Sequence, residues 1–258
     1  MSDRGLFSLA GEVAVVIGGG GVLGGAMATG LAQAGADVVI LGRSKDSADA
    51  RAREIQALGR SSIGIACDAT SKNGLQQALE TVIARFGHVD ILVNAAGVNS
   101  GTPFFEITEA EWHRILDIDL TGVFLACQVF GKAMVDAGRG GSIINISSAS
   151  SGPPLSKVFT YAVAKAGVNQ ITQFLARELA PHNIRVNAIL PGFFPAEQNR
   201  KLLTQERVAS ILGHTPMNRF GESCELVGAA VYLASREASS FVTGSILKVD
   251  GGFTAMTI

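Results

Sequence analysis

Tyr161 and Lys165 stand four residues apart, and Ser148 precedes the tyrosine by 13. In a helical stretch Tyr-x-x-x-Lys puts both side chains on one face, one turn apart. An ammonium beside a phenol favours the phenolate, so the pair can trade a proton near neutral pH. Ser148 follows the apolar run 141–146, which reads as a buried strand reaching the same pocket. A hydroxyl there would hold a substrate oxygen on which charge changes. Tyr-x-x-x-Lys also occurs on many solvated helix faces. The serine offset and a glycine-rich start near the N-terminus lift it above that background.

Gly19, Gly21 and Gly24 satisfy G-x-G-x-x-G between a β-branched run, 13–17, and a small-residue helix from about 23 to 34. Glycines let backbone approach a pyrophosphate, and a helix N-terminus favours its charge. The candidate cradle is Gly18, Gly20, Gly21, Val22, Leu23 and Gly24. Helix–strand packing alone is the competing use of such glycines. At the end of the second strand the chain reads Leu41-Gly42-Arg43-Ser44, with no carboxylate until Asp46. An acidic residue there would grip a ribose 2′-hydroxyl, whereas Arg43 suits a 2′-phosphate and Ser44 offers a second donor. The expectation is NADP(H) over NAD(H), with Arg43 as a solvated loop charge the alternative.

Strand and helix patterns alternate along the chain to position these groups. Strands are expected at 13–17, 38–41, 63–67, 89–93, 141–146, 185–190 and 246–249. Helices are expected at about 23–34, 47–58, 72–86, 109–136, 158–179, 197–212 and 224–235. Continuous apolar strands between helices imply a parallel sheet covered on both faces, doubly wound, with ligands at the strands' carboxyl ends. The fold class is therefore α/β, a Rossmann-type domain with a seven-stranded, mostly parallel sheet. No linker composition divides the 258 residues, so 1–258 reads as one domain, with a substrate loop and helix around 193–216.

Net charge is −1 and charged residues are 17%, so no basic footprint points to nucleic acid. Low charge beside 47% hydrophobic residues suggests apolar surface hidden between subunits. Cys67, Cys127 and Cys224 show neither metal spacing nor a disulfide framework, which fits a reducing cytoplasm. Asp3 and Arg4 precede no apolar signal-peptide core. The apolar stretches are broken well short of ~18 residues, so no membrane span is expected.

Together these residues resemble the short-chain dehydrogenase/reductase family over nearly the whole chain. The landmarks are Gly18 and Gly24, Asp68, Asn94-Ala95-Ala96-Gly97, Asn145-Ile146-Ser147-Ser148 and Tyr161 with Lys165, followed by Asn187, Pro191-Gly192 and Asp250-Gly251-Gly252. The resemblance implies that Tyr161 is general acid in reduction and general base in oxidation. It implies that Lys165 also binds the nicotinamide ribose and that Ser148 orients the carbonyl or alcohol oxygen. Asp68 and Ala69 would lie near the adenine, and Asn94, Ala95, Ala96 and Gly97 would line the nucleotide site. Pro191, Gly192, Phe193 and Phe194 would shape the nicotinamide pocket. A turn role for Asp68 and Asn94 is the plainer alternative. The resemblance also implies a homotetramer.

Three departures from the family pattern stand out. Ile17 replaces a usual threonine, and Val22 a usual glycine. Asp119, within Asp117-Ile118-Asp119-Leu120-Thr121-Gly122, stands where an active-site asparagine is usual. A carboxylate there adds charge and loses two donors, so activity retained with a shifted pH dependence is expected. Ala196 replaces a threonine that often touches the carboxamide.

The segment Pro191 to Arg200, with Gly18 to Met27 and His214-Thr215-Pro216-Met217, is similar to a sugar-acid branch of the family that includes D-mannonate oxidoreductases, also described as fructuronate reductases. Independently, Lys157, Gln198, Asn199 and Arg200 offer cations and donors for an anionic polyol, though a solvated helix face or a loop cap accounts for them equally. Trp112 reads as core or interface, and His214 as a substrate or subunit contact. The leading expectation is an NADP(H)-dependent interconversion of a ketone and a secondary alcohol on a small polyhydroxy or keto acid, without a metal. The alternatives are a ketoacyl or aromatic-ketone reductase, suggested by Phe193, Phe194 and Pro195, and a nucleotide-binding regulator whose chemistry has lapsed.

Overall fold

In β1 (Val13–Ile17) all five side chains are buried, and they divide between two cores by the alternation of a strand. Val13, Val15 and Ile17 join Leu75, Val82, Phe130 and Val168 on one face. Ala14 and Val16 join Met27, Leu31, Ile55 and Leu233 on the other. A strand buried on both faces must be apolar throughout, which explains the unbroken VAVVI run. Full burial of each Val, Leu or Ile contributes about 1.5–3 kcal/mol, so the sheet is a stiff platform for the loops at its ends.

The computed structural model describes residues 5–195 and 203–256. The other strands are β2 (Asp37–Gly42), β3 (Ser62–Ala66), β4 (Ile91–Asn94), β5 (Gly141–Ile146), β6 (Ile184–Pro191) and β7 (Ile246–Val249). All pair in parallel, in the order β3-β2-β1-β4-β5-β6-β7. The winding direction reverses between β1 and β4, which opens a crevice at their carboxyl ends.

The helices are α1 (Val22–Gln33), α2 (Lys45–Ala57), α3 (Lys72–Phe86), α4 (Glu109–Leu116), α5 (Gly122–Ala137), α6 (Phe159–Leu179), α7 (Gln205–Gly213) and α8 (Val227–Ala234). Ser44, Ser71, Thr108 and Thr204 accept backbone N–H groups at the starts of α2, α3, α4 and α7, which sets those boundaries. The fourth strand pairs from Ile91 rather than from 89. Residues 196–202, which include the start of the expected 197–212 helix, lie outside the described residues.

The expected helix 109–136 has a feature that its pattern does not reveal. Between α4 and α5 the backbone widens into one π-turn, Asp117–Thr121. Such a turn re-aims the residues it carries and recurs at functional sites. Glu109–Ala137 is, by length and composition, long and apolar enough to cross a membrane, contrary to the expectation of no such stretch. Half of its most apolar window is buried inside the fold, where it packs beside the sheet.

Candidate active site

The crevice at the β1–β4 reversal is a cavity of about 380 Å³. Its wall combines Gly18, Gly20 and Gly21 with Arg43, Ser44 and Asp68 and with the strip Ala95 to Val98. Gly18 has φ +81°, and a Cβ there would lie 2.6 Å from the Ala96 nitrogen. A Cβ on Gly24 would lie 2.4 Å from the Gly18 oxygen, so this glycine serves the packing of α1 against the turn. Gly21 precedes α1 with no side-chain cap, leaving the first N–H groups of a 12-residue helix for another acceptor. Val22 is exposed and Leu23 half-buried; as the first residues of α1 they bring backbone rather than side chains. This arrangement fits a dinucleotide pyrophosphate.

Arg43 and Ser44 line the same cavity, and Ser47 joins them. Ser47 was not singled out by sequence, although it stands where α2 takes its cap: its N–H and hydroxyl both donate to Ser44 Oγ, at 3.2 and 3.1 Å. Asp68 Oδ1 accepts from the Thr70 N–H and hydroxyl at 2.9 and 2.8 Å. Those two bonds hold its carboxyl below the ordinary range, with the charge of Arg43 adding to them. Ala69 lines the cavity with Asp68.

Asn94 takes a different place from the expected one. It is buried, it sits opposite Asn145 in the β4–β5 register, and its Nδ2 donates to Asn145 Oδ1 at 2.8 Å. Asn145 in turn donates to Thr172 Oγ1 on α6 at 3.0 Å. Asn94 therefore braces the strip Ala95 to Gly97 from beneath, and its side chain is not part of the cavity wall.

Tyr161 and Lys165 share one face of α6, with Lys165 Nζ 5.4 Å from the centre of the tyrosine ring. Lys165 is 2% exposed and donates to the Ile146 carbonyl at 3.0 Å. Asp119 is 0% exposed, and its Oδ1 meets Lys165 Nζ at 3.2 Å as a charge contact rather than an aligned hydrogen bond. Its Oδ2 accepts from the Val98 N–H at 2.9 Å. Burial pushes the Asp119 carboxyl above the ordinary range, against the pull of Lys165 and of the Val98 N–H. Both oxygens are thus engaged, one by a cation and one by an amide. An asparagine has one acceptor oxygen and could not serve both contacts in this way. A Cβ on Gly97 would lie 2.6 Å from Asp119 Oδ1 and 3.6 Å from Lys165 Nζ, so the ion pair lies directly beneath the cavity's glycine strip.

Ser148 follows β5 in extended backbone. Its Oγ accepts from the Ser150 N–H at 3.2 Å and from the Ser150 hydroxyl at 3.0 Å. With both bonds directed inward, its own proton is left to donate outward. Ser147 and Asn169 share a 2.6 Å bond, Asn169 donates to Ser151, and Ser151 donates to the Ser148 carbonyl, which ties this turn to α6.

On the substrate side, Lys157 is exposed and holds φ +66°, a strained conformation for a residue with a Cβ. Gln198, Asn199 and Arg200, with Ala196, lie outside the described residues. Pro191 ends β6, and Gly192 donates to the Val249 carbonyl at 3.0 Å; a Cβ on it would meet Asp250 Cα at 2.7 Å. Phe193 and Phe194 line a small cavity of about 100 Å³ beside β7. Phe193 also reaches a larger one of about 720 Å³, which sequence reasoning did not foresee, bounded by Ala149, the 153–156 loop, Arg207, His214 and Phe253. Trp112 stands 6.2 Å from Phe159, and Phe159 packs on Phe104 at 4.9 Å.

Residues 21–254 match the profile of a family described as enoyl-(acyl carrier protein) reductase. The chain is similar to an uncharacterized oxidoreductase, UxuB, of Bacillus subtilis strain 168, with 40% identity over 96% of each chain. It is also similar to the 2-dehydro-3-deoxy-D-gluconate 5-dehydrogenase of Escherichia coli K12, with 39% identity over 96% of this chain and 98% of the relative. Among solved structures, a gluconate 5-dehydrogenase from Burkholderia cenocepacia J2315 in complex with NADP and tartrate superimposes with TM-score 0.93 and 35% identity over 99% of both chains. A candidate D-mannonate oxidoreductase from Haemophilus influenza with bound NAD gives 0.92 and 33% over 97% of both.

Proposed function

The chain belongs to the short-chain dehydrogenase/reductase family, and we propose that it interconverts a ketone and a secondary alcohol on a sugar acid, using NADP(H). It is an NAD(P)-dependent oxidoreductase acting on CH–OH groups. The observation that carries the chemical reading is Tyr161 and Lys165 on one face of α6, with the lysine anchored beneath the glycine strip of the crevice. The nicotinamide, when bound, supplies or accepts the hydride.

The chain's own residues handle the proton and the oxygen. Ser148, already accepting twice from Ser150, donates to the substrate oxygen and fixes its place. Tyr161 gives its proton to that oxygen in reduction and takes one in oxidation. Lys165 keeps a positive charge beside the tyrosine, and Asp119 holds that charge in position. Gly18, Gly20, Gly21 and the N-terminus of α1 would hold the pyrophosphate; Asp68 and Ala69 would flank the adenine; Pro191 to Phe194 would border the nicotinamide.

Support for a sugar acid comes from full-length relatives named for gluconate and 2-dehydro-3-deoxy-D-gluconate. The enoyl reductase description belongs to the wider family profile and does not favour an acyl substrate over them.

Support for NADP comes from Arg43, Ser44 and Ser47 converging on one wall of the crevice, and from NADP in the Burkholderia structure, although the Haemophilus one holds NAD. An Arg–phosphate contact contributes about 1.5–3 kcal/mol, so Arg43→Ala should lower kcat/KM for NADPH by about 10- to 100-fold and leave NADH nearly unchanged. Steady-state kinetics with both cofactors check this. An equal fall with both, or a wild-type preference for NADH, would refute the phosphate role.

A homotetramer and a cytoplasmic setting complete the proposal. Exposed Phe124 and Phe174 on α5 and α6, together with exposed Phe105, support burial between subunits, and a single species of monomer mass in equilibrium sedimentation would remove it. The buried, unbridged Cys67 and Cys127 are consistent with a reducing compartment.

A further inference from the structure

We propose that Arg207 recognises the substrate's carboxylate, and that the sugar-acid chain lies in the 720 Å³ cavity beyond the Ser148 turn. The inference rests on the sugar-acid reading and adds the group that selects an acid over a neutral polyol. The cavity begins at Ala149, the residue after Ser148, and passes Phe193, which follows Pro191-Gly192. It therefore adjoins both the proposed oxygen-holding serine and the proposed nicotinamide border. Phe253 packs on Phe193 at 5.1 Å and on His214 at 4.7 Å, forming an aromatic side.

Charge on the described wall is one-sided. Among the described residues that line the cavity, Arg207 is the one permanently charged side chain and none is an aspartate or glutamate. Arg207 is half-buried as a residue, and among the described residues its guanidinium bonds only neutral acceptors, Ser156 Oγ at 2.7 Å and the Ser156 carbonyl at 3.4 Å. Arg207 has no carboxylate within ion-pair distance among the described residues, a state it shares with several other arginines; what sets it apart is its place on this cavity's wall.

Its position within the helix points the same way. Arg207 is the third residue of α7, in the first turn, where a cation opposes the helix dipole. Thr204 already caps the Arg207 N–H, so the side chain is not needed there for helix formation. An anion at this spot would satisfy the uncompensated guanidinium and also favour the helix end. The planar fork has five N–H donors, and Ser156 leaves enough of them for a carboxylate. Ser156 thus acts as a clip that aims the fork.

The experiment compares D-gluconate with D-glucitol, the same carbon chain carrying CH₂OH in place of the carboxylate. Calorimetric Kd values are measured on the full chain saturated with NADP⁺, for wild type, Arg207→Ala, Arg207→Lys and Ser156→Ala, with KM and kcat alongside. Wild type should bind gluconate at least about tenfold tighter than glucitol. Arg207→Ala should weaken gluconate by about 30- to 100-fold while changing glucitol less than about twofold. The loss should fall on KM with kcat and NADP⁺ affinity preserved. Arg207→Lys should recover part of the preference, and Ser156→Ala, which keeps the charge, should retain most of it.

Equal weakening of both ligands would make Arg207 a structural clip and overturn the proposal, as would unchanged gluconate affinity or no wild-type preference. Arg207-dependent gluconate binding without turnover of any sugar acid would uphold this inference while sinking the proposed reaction. Sugar-acid turnover with an unaltered KM in Arg207→Ala would do the reverse.

Discussion

Tyr161→Phe should lower kcat by about 10²- to 10⁴-fold, the range that a positioned proton donor contributes, while leaving dinucleotide affinity and thermal stability close to wild type. The substitution removes one oxygen. Among the described residues the Tyr161 hydroxyl forms no hydrogen bond whose loss would disturb the fold, and the ring keeps its place near Lys165. Single-turnover kinetics with a fluorescence titration of NADPH separate the two effects. A variant that binds NADPH normally and reduces substrate at the wild-type rate would remove Tyr161 from the chemistry. Ser148→Ala should be less severe, because it loses an orienting bond and not the proton itself.

Lys165→Met should be the most destabilising change in the site, by about 3–5 kcal/mol at neutral pH, because it leaves Asp119 as a buried carboxylate without its cation. The sign of the pH dependence follows from burial. The Asp119 carboxyl is held above its ordinary value even with Lys165 present, and removing the ammonium removes the largest opposing influence. The folded variant then binds more protons than its unfolded chain, so its stability falls as pH rises through that range and recovers as pH falls. Denaturant titrations from acid to neutral pH should show the deficit shrinking toward the acid side. Adding Asp119→Asn should restore most of the stability, since an amide oxygen can still accept from the Val98 N–H, but should restore no activity. A deficit independent of pH, or a double variant no more stable than the single one, would show that the two side chains are not energetically coupled.

Asp119→Asn alone asks a gentler question of the same pair. It takes a negative charge from beside the groups that handle the proton, so the rising limb of the oxidation rate should move to lower pH with activity retained. An unaltered pH–rate profile would count against that role.

The sheet was legible in the sequence because a strand buried on both faces has few alternatives to an unbroken apolar run. The runs 13–17, 141–146 and 246–249 coincide with β1, β5 and β7. The fourth strand is offset by two residues, since Val89 reads as its apolar start while Asp90 turns to ion pairs and pairing begins at Ile91. Tyr161, Lys165 and Ser148 stand out in the sequence by spacing, which follows from elements that are themselves readable, whereas Asp119 stands out only through the family resemblance. The π-turn that accompanies the inward placement of Asp119 was not legible, because it depends on how α4 and α5 pack and leaves no periodicity behind.

Asn94 shows the opposite limit. Its motif suggested a ligand contact, but its side chain is committed to Asn145 across a strand pair that no local pattern reveals. Arg207 was invisible for the same reason: its partner Ser156 is 51 residues away, on another wall of the cavity. Lys157 reads in the sequence as a cation for substrate or as a loop cap, and its left-handed backbone is a property of the fold. Asp90, buried at the far end of the sheet among His88, Arg139 and Arg236, is a further contact set that composition could not disclose.

The most direct test of the account uses NADPH carrying deuterium at nicotinamide C4, in each of the two stereochemical positions, with a panel of keto sugar acids and the purified full-length chain. Mass spectrometry of the product should find one deuterium, from one of the two labelled forms, on the carbon that becomes CH–OH, and Tyr161→Phe should yield far less of the labelled alcohol in the same time. Tight NADPH binding with no deuterium in any product alcohol would contradict the account.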